Sequence, residues 1–284
     1  VKAGSKGGDV TIIATTKDGT NLSAECKITS ELFSEIKANK TPYTDSEGNI
    51  AQIPGGFAVG MSENVNKVTG GLVIQDNEGN QFVWIPIGEI KDKNGKTDNI
   101  SLGRYIFDRT DGTPKLEQNA DNYQKTVTIE SYYQEIIIGN VNSAAKNLGA
   151  FVAYSKNNGG FYLARYEASN GGNEIPKSKF DKIPWRNISQ PTAAQRSVSM
   201  YNKRQDIWSD MANSYAWDTA IVFIQKYSEN ANYINTGGIS GFLNTGKLGD
   251  KACNIHDMLS NSYEWSTEYS TYVFSSGKKW KCVY

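Results

Sequence analysis

The stretch Asn254-Ile-His-Asp-Met-Leu-Ser-Asn-Ser-Tyr-Glu-Trp-Ser-Thr-Glu268 carries the most information in this chain. It sets an acid at Asp257, a polar turn at Ser260–Ser262, and then the pair Glu264-Trp265. An aromatic residue of the kind usually buried, next to a carboxylate and a short turn away from another, is not the makeup of a plain surface loop. Apart from any ligand, Glu264 is expected to hydrogen-bond backbone amides while Trp265 packs.

Upstream, Asn213-Ser-Tyr-Ala-Trp-Asp-Thr-Ala-Ile-Val-Phe-Ile-Gln225 has helical spacing, with Trp217, Ala220, Ile221 and Ile224 on one side. Asp218 is expected in the first turn, where an acid suits the helix dipole. Further back lies Gly159-Gly-Phe-Tyr-Leu-Ala-Arg-Tyr-Glu167, which as an extended segment sets Arg165 and Glu167 on one face, expected in structural ion pairs rather than catalysis. Gly70-Gly-Leu-Val-Ile74 and Gln81-Phe-Val-Trp-Ile-Pro86, joined by Asp76-Asn-Glu-Gly-Asn80, predict a hairpin with Trp84 on its second strand. Residues 88–125 are polar and turn-rich and are expected to be an excursion. Residues 141–157 are mildly helical.

Four of these segments, 81–86, 159–167, 213–225 and 254–265, resemble motifs of the formylglycine-generating-enzyme-like (sulfatase-modifying-factor) branch of C-type lectin-like domains. The family motifs read "F-x-W-x-P-x-G", "G-G-F-Y-I-G-R-Y-E", "V-S-W-x-D-A-x-A-F-x-x-W" and "DM-x-GN-x-x-EW". The resemblance covers roughly 52–284 and implies an α+β fold. It also implies a calcium ion held by the Asp257 side chain, backbone oxygens at Ser260 and Ser262, and the Glu264 carboxylate. Trp84, Arg165, Glu167, Trp217 and Trp265 take structural roles in this reading. One departure is that Ser260 stands where the family has glycine, a position expected to need a positive φ.

The N-terminal run alternates. Val10-Thr-Ile-Ile-Ala-Thr-Thr16 and Leu22-Ser-Ala-Glu-Cys-Lys-Ile-Thr29 flank the turn Lys17-Asp-Gly-Thr20. Two strands do not make a stable domain. The segment is similar to the last hairpin of a bacterial group-2 immunoglobulin-like domain, whose earlier strands are expected to precede Val1. The expected organisation is an immunoglobulin-like hairpin at 1–29, a linker at 30–51, and a C-type lectin-like domain at 52–284 that continues past Tyr284.

Composition narrows the function. The 284 residues hold 30 Lys+Arg against 30 Asp+Glu, so no basic field exists to grip a nucleic-acid backbone. No apolar run is long enough to insert in a membrane. Tyr (16), Gly (27) and Trp (6) are plentiful, which fits either an adaptable binding surface or tyrosines used in strands. With one His, neither a Ser-His-Asp set nor a zinc site is arguable. His256 is expected to be a packed or surface imidazole. Of the three cysteines, Cys26 reads as a buried small residue, and Cys253 and Cys282 are either paired or free. The cysteine pair of the resembled oxidases has no counterpart before Tyr284, and no catalytic residue is assigned.

These readings converge on an extracellular, bacterial-surface or virion-surface recognition module. Its head is expected to bind a cell-surface protein or glycan, without nucleic acid or membrane insertion. Two alternatives stay open: a formylglycine-generating-type oxidase whose cysteines lie beyond Tyr284, and a phage capsid or tail decoration domain packed on neighbouring subunits.

Overall fold

The computed structural model describes residues 8–30, 32–117, 148–266, 269–273 and 279–283. Its centre is a four-stranded antiparallel sheet in the order β12 (Gly160–Ala164), β7 (Gln81–Pro86), β6 (Val73–Asp76), β5 (Phe57–Val59). The expected hairpin is present, with Val73 opposite Val83 and Ile74 opposite Phe82. The turn closes because Asp76 Oδ1 accepts the amides of Glu78 and Asn80.

Period-two alternation sorts the side chains onto two faces. Val73, Val83, Ile85, Phe161 and Leu163 face one apolar cluster. Ile74, Phe82, Trp84 and Tyr162 face the other, with Ile53, Phe57 and Leu72. A sheet covered on both sides explains why the run Phe82-Val-Trp-Ile85 is apolar without interruption.

The first cluster is completed by helix α3 (Ser214–Tyr227), which arises as expected. Asn213 caps it through Oδ1, accepting from Ala216 N at 2.9 Å. Ile221, Phe223 and Ile224 are fully buried, each contributing roughly 1.5–3 kcal/mol. The helix is buried nearly all round, although Asp218, Thr219 and Gln225 interrupt its apolar surface. The polar excursion supplies their partners as two hairpins, β8 (Gly88–Lys91) with β9 (Thr97–Ile100) and β10 (Tyr105–Phe107) with β11 (Pro114–Leu116). Tyr105 N donates to Asp218 Oδ2 at 2.8 Å, Gly103 N to Thr219 Oγ1 at 3.2 Å, and Gln225 Nε2 to Gly112 O at 2.8 Å. Asp218 therefore does not sit in the first turn, which contains no acid. It is a buried acceptor that joins the helix to the excursion.

The segment expected as a linker, 30–51, is folded into this unit. β3 (Thr41–Thr44) pairs with β4 (Ile50–Ile53), Ala51 and Ile53 are buried, and Ser34 N and Lys37 N donate to Val59 O and Phe57 O. β1 (Gly8–Thr15) and β2 (Ser23–Ser30) form the expected hairpin, with Ile12 opposite Cys26. Its side chains from Thr11 to Glu25 are almost all exposed.

Two further helices are α1 (Leu148–Asn158) and α2 (Gln190–Ser199). The rest of the segment expected as helical, 141–147, lies outside the described residues, as does 118–125 of the excursion. The architecture is α+β: small antiparallel sheets with helices packed on them. Among the described residues no helix is long and apolar enough to cross a membrane.

Candidate functional site

The decisive stretch enters the molecule as a strap. β15 (Lys251–Ala252) pairs with β16 (Ile255–His256) around Cys253 and Asn254, both at positive φ (44° and 62°). Asn254 tolerates that conformation and uses its amide as a clamp, donating to Gly70 O at 3.0 Å, Gly71 O at 2.9 Å, and Asn64 O. Gly71 has to be glycine: a Cβ there would lie 1.8 Å from Cys253 O. Arg165, 1% exposed, holds the strap from the other side through Nε to Asn254 O (3.2 Å), while its Nη1 donates to Gln81 Oε1 (2.7 Å).

Beyond the strap, the turn 257–262 is a knot of side-chain-to-backbone bonds. Asp257 is 1% exposed; its Oδ2 accepts Gly246 N at 2.7 Å, and its Oδ1 has no hydrogen-bond partner. Asp250 Oδ2 accepts from Ser260 Oγ (2.8 Å) and Leu259 N (3.2 Å), and its Oδ1 from Tyr233 (2.7 Å). Ser260 Oγ in turn accepts Ile239 N at 2.7 Å. The positive φ falls on Asn261 (70°) and Asp257 (62°), not on Ser260 as expected. Serine is thus accommodated without strain. Asn261 donates to Glu167 Oε2, and Ser262 N donates to Glu167 Oε1 at 3.0 Å. Arg165 and Glu167 follow β12 rather than lying in it, and they go to different partners.

Three of these carboxyls are perturbed together. Burial pushes Glu167 up to about 7; Asp257 repels it further, against the bonds from Ser262 and Asn261. Asp257 is raised by its own burial, opposed by the Gly246 amide. Glu264 keeps an exposed flank, yet its carboxylate is enclosed enough, and near enough to Glu167, to be pushed up to about 8. Burial is the larger cause and repulsion by Glu167 the next. Glu264 Oε2 accepts Trp217 Nε1 at 3.1 Å rather than backbone amides.

The expected calcium ligands Asp257, Ser260, Ser262 and Glu264 thus share one turn. Among the described residues no group of three His, Cys, Asp or Glu side chains converges on a metal position. The feature that suits a cation is the orphaned Asp257 Oδ1 beside mutually repelling carboxyls.

The turn also fastens two loops that sequence reasoning passed over. Loop 180–188 is tied to loop 237–249 by Asp181 N to Thr245 O (2.9 Å) and Thr245 N to Lys182 O (2.8 Å). Loop 237–249 is tied to the turn through Leu243 N to Asn261 Oδ1 (3.0 Å) and through Gly238, whose Cβ would lie 2.0 Å from Leu259 O. Trp265 Nε1 donates to Ile188 O at 2.9 Å. Stitched this way, the loops present Phe180, Ile183, Phe242, Leu243 and Tyr263 to solvent, with Trp265 partly exposed. Ile183 is 72% exposed and Phe242 62%. The available signal was apolar residues set among glycines and small polar residues, Gly237-Gly-Ile-Ser-Gly-Phe-Leu-Asn-Thr-Gly246. Such a run has no strand or helix to bury it.

Two hollows flank this region. The larger, about 640 Å³, is lined by Tyr227, Asn230, Tyr233, Lys251 and Cys253 among others. Cys253 is a free thiol pushed up to about 12 by burial, so it is not poised as a nucleophile. Cys26 and Cys282 fall outside the described side chains. The smaller hollow, about 480 Å³, opens between Trp185, Arg186, Asn170 and Asn244. His256, stacked on Tyr166 at 4.8 Å, is lowered to about 3 by burial and by Arg165. It is a packed imidazole, held neutral. Trp84 is fully buried against Tyr162, at 4.9 Å between ring centroids. Compared with known protein families, curated proteins and solved structures, the chain matches none of them.

Proposed function

We propose that this chain is a recognition and adhesion module with a C-type lectin-like head on an immunoglobulin-like stalk. It would be displayed outside the cell or on a virion and bind a cell-surface protein or glycan. The observation that carries the reading is the exposed apolar face of loops 180–188, 237–249 and 257–265, held by long-range side-chain-to-backbone bonds. Large apolar side chains exposed on neighbouring, mutually bonded loops suit an interaction surface. Aromatic anchors held rigidly bind with little loss of conformational entropy. Calcium belongs to the proposal as a structural ion at the turn, supported by the orphaned Asp257 Oδ1 and by the carboxyls of Glu167 and Glu264. Its test is a thermal melt in calcium against chelator: a rise in Tm supports the ion, and identical curves remove it.

Binding is tested by adding the purified protein to whole cells and to immobilised surface extracts, with Phe242→Ser and Tyr263→Ser as paired variants. Both variants are expected to stay folded and to lose binding. Undiminished binding by both would sink this reading. The same apolar face supports a second reading, a decoration domain seated on a neighbouring subunit. Self-association abolished by Phe242→Ser, with no cell binding, would favour it.

A further inference from the structure

We infer that the hollow of about 480 Å³ beside the loop face is a subsite for an anionic sugar residue, one bearing a carboxylate or a sulfate. The inference rests on the recognition reading and names the ligand chemistry. The volume lies within the range of about 300–1,000 Å³ usual for small-ligand sites.

One wall is apolar and rigid. Pro184 is bridged to Ser169, and Trp185 N donates to Ala168 O at 2.8 Å, so the Ile183-Pro-Trp185 wall is set by backbone bonds. Trp185 is half-buried and lines the hollow. An indole or proline face is the surface against which the C–H side of a sugar ring packs. Opposite are two side-chain amides. Asn170 Oδ1 accepts Gly172 N at 3.0 Å, which leaves its NH₂ as donor. Asn244 Nδ2 donates to Asp181 Oδ1 at 2.8 Å, which leaves its oxygen as acceptor. A free donor and a free acceptor match the hydroxyls of a sugar ring.

The charge selects the anion. The one acid on the wall, Asp181, is already paired with Lys247 at 3.0 Å and accepts a hydrogen bond from Asn244. Arg186 and Lys182 also line the hollow; their charges act on Glu167 and on Asp181 from a distance, without a close ion pair among the described residues. Arg186 is held by its stack on Phe242, 4.8 Å from guanidinium to ring centroid, which fixes the guanidinium without using its N–H donors. A planar guanidinium with free donors suits a carboxylate or sulfate, which it can bind through two parallel bonds. A neutral sugar would leave the Arg186 N–H donors without a charged acceptor, and a bare inorganic anion would leave the Trp185 wall unused.

The experiment is titration of the protein with oligosaccharides ending in glucuronate, in a sulfated hexose, or in the matching neutral hexose, followed by calorimetry. Acidic forms are expected to bind about tenfold or more tightly than the neutral form. Raising the salt should weaken them, since the contact is solvent-facing. Arg186→Gln should remove the preference for acid, Arg186→Lys should keep part of it, and Lys93→Gln, exposed in the β8–β9 turn and not lining the hollow, should leave it intact. Preference for the uronate over the sulfated sugar, or the reverse, identifies which anion the site takes. Equal binding of neutral and acidic sugars, or an Arg186→Gln variant that keeps the preference, overturns the inference. So does phosphopeptide binding at this site with no acidic sugar bound. If cells bind regardless of enzymatic removal of their acidic sugars, the recognition reading stands and this inference falls. If neither cells nor sugars bind, both fall.

Discussion

Replacing Asn254 separates two physical contributions to the strap that carries the whole site. Its amide donates to Gly70 O and Gly71 O at 3.0 and 2.9 Å, and its backbone sits at φ 62° with 4% of its surface exposed. Its two N–H hydrogens are shared among those carbonyls and Asn64 O, so Asn254→Ala loses two bonds at about 1 kcal/mol each, and alanine, lacking the local polar side chain that eases Asn into left-handed φ, adds about 1 more. The expected loss is therefore about 3 kcal/mol. Asn254→Gly meets no steric cost at this φ, so only the bond term of about 2 kcal/mol remains. Asn254→Asp tolerates the φ but turns a carboxylate toward the three carbonyl oxygens of the clamp, and should be the worst, above about 3 kcal/mol. The assay is urea unfolding followed by tryptophan fluorescence, with unchanged m-values required before the midpoints are compared. The reasoning is refuted if glycine costs as much as alanine, or if aspartate is tolerated. Either result would mean that the amide clamp and the left-handed backbone do not hold the strap as described.

Other outcomes follow from the same geometry. Folded Glu167 and Glu264, at about 7 and about 8, hold protons that the unfolded chain releases near 4.5, so their contribution falls as pH rises through 8. His256, at about 3 instead of 6.5, acts in the opposite sense below 6.5. The net fall is thus expected between pH 6.5 and 8, about 1–2 kcal/mol after screening at the exposed flank of Glu264. Urea curves at the two pH values measure it, and equal or greater stability at pH 8 contradicts the carboxyl assignments. Cys253 should resist iodoacetamide in the native protein and react on unfolding, read by peptide mass. Rapid native labelling would contradict the upward shift that keeps it a thiol. Asp218→Ala should cost about 2–3 kcal/mol by leaving Tyr105 N without its acceptor. A cost below about 0.5 kcal/mol would show that the excursion is not anchored there.

The sequence by itself determined the local elements. Two apolar runs joined by a Gly/Asn turn in 73–86 and 3.6-residue spacing in 214–227 are backbone geometry written in side chains, and the structure has those strands and that helix. It also marked 254–265 as the segment to watch. What it did not determine was partnership. Residues 30–51 looked like a linker because their polar residues, such as Asp45 and Asn49, carry no signal of burial. Only their bonds to Val68 N and Lys91 O make them part of the packed unit. Asp218 reads as a helix-start acid until the excursion is seen to cover it. The loops that form the exposed face have no periodicity. They are held by single long-range bonds such as Leu243 to Asn261 and Gly246 to Asp257, joining residues that the chain order keeps apart. Periodicity reports what one segment buries; which segments meet is decided by tertiary packing, and the candidate surface is made wholly of such meetings.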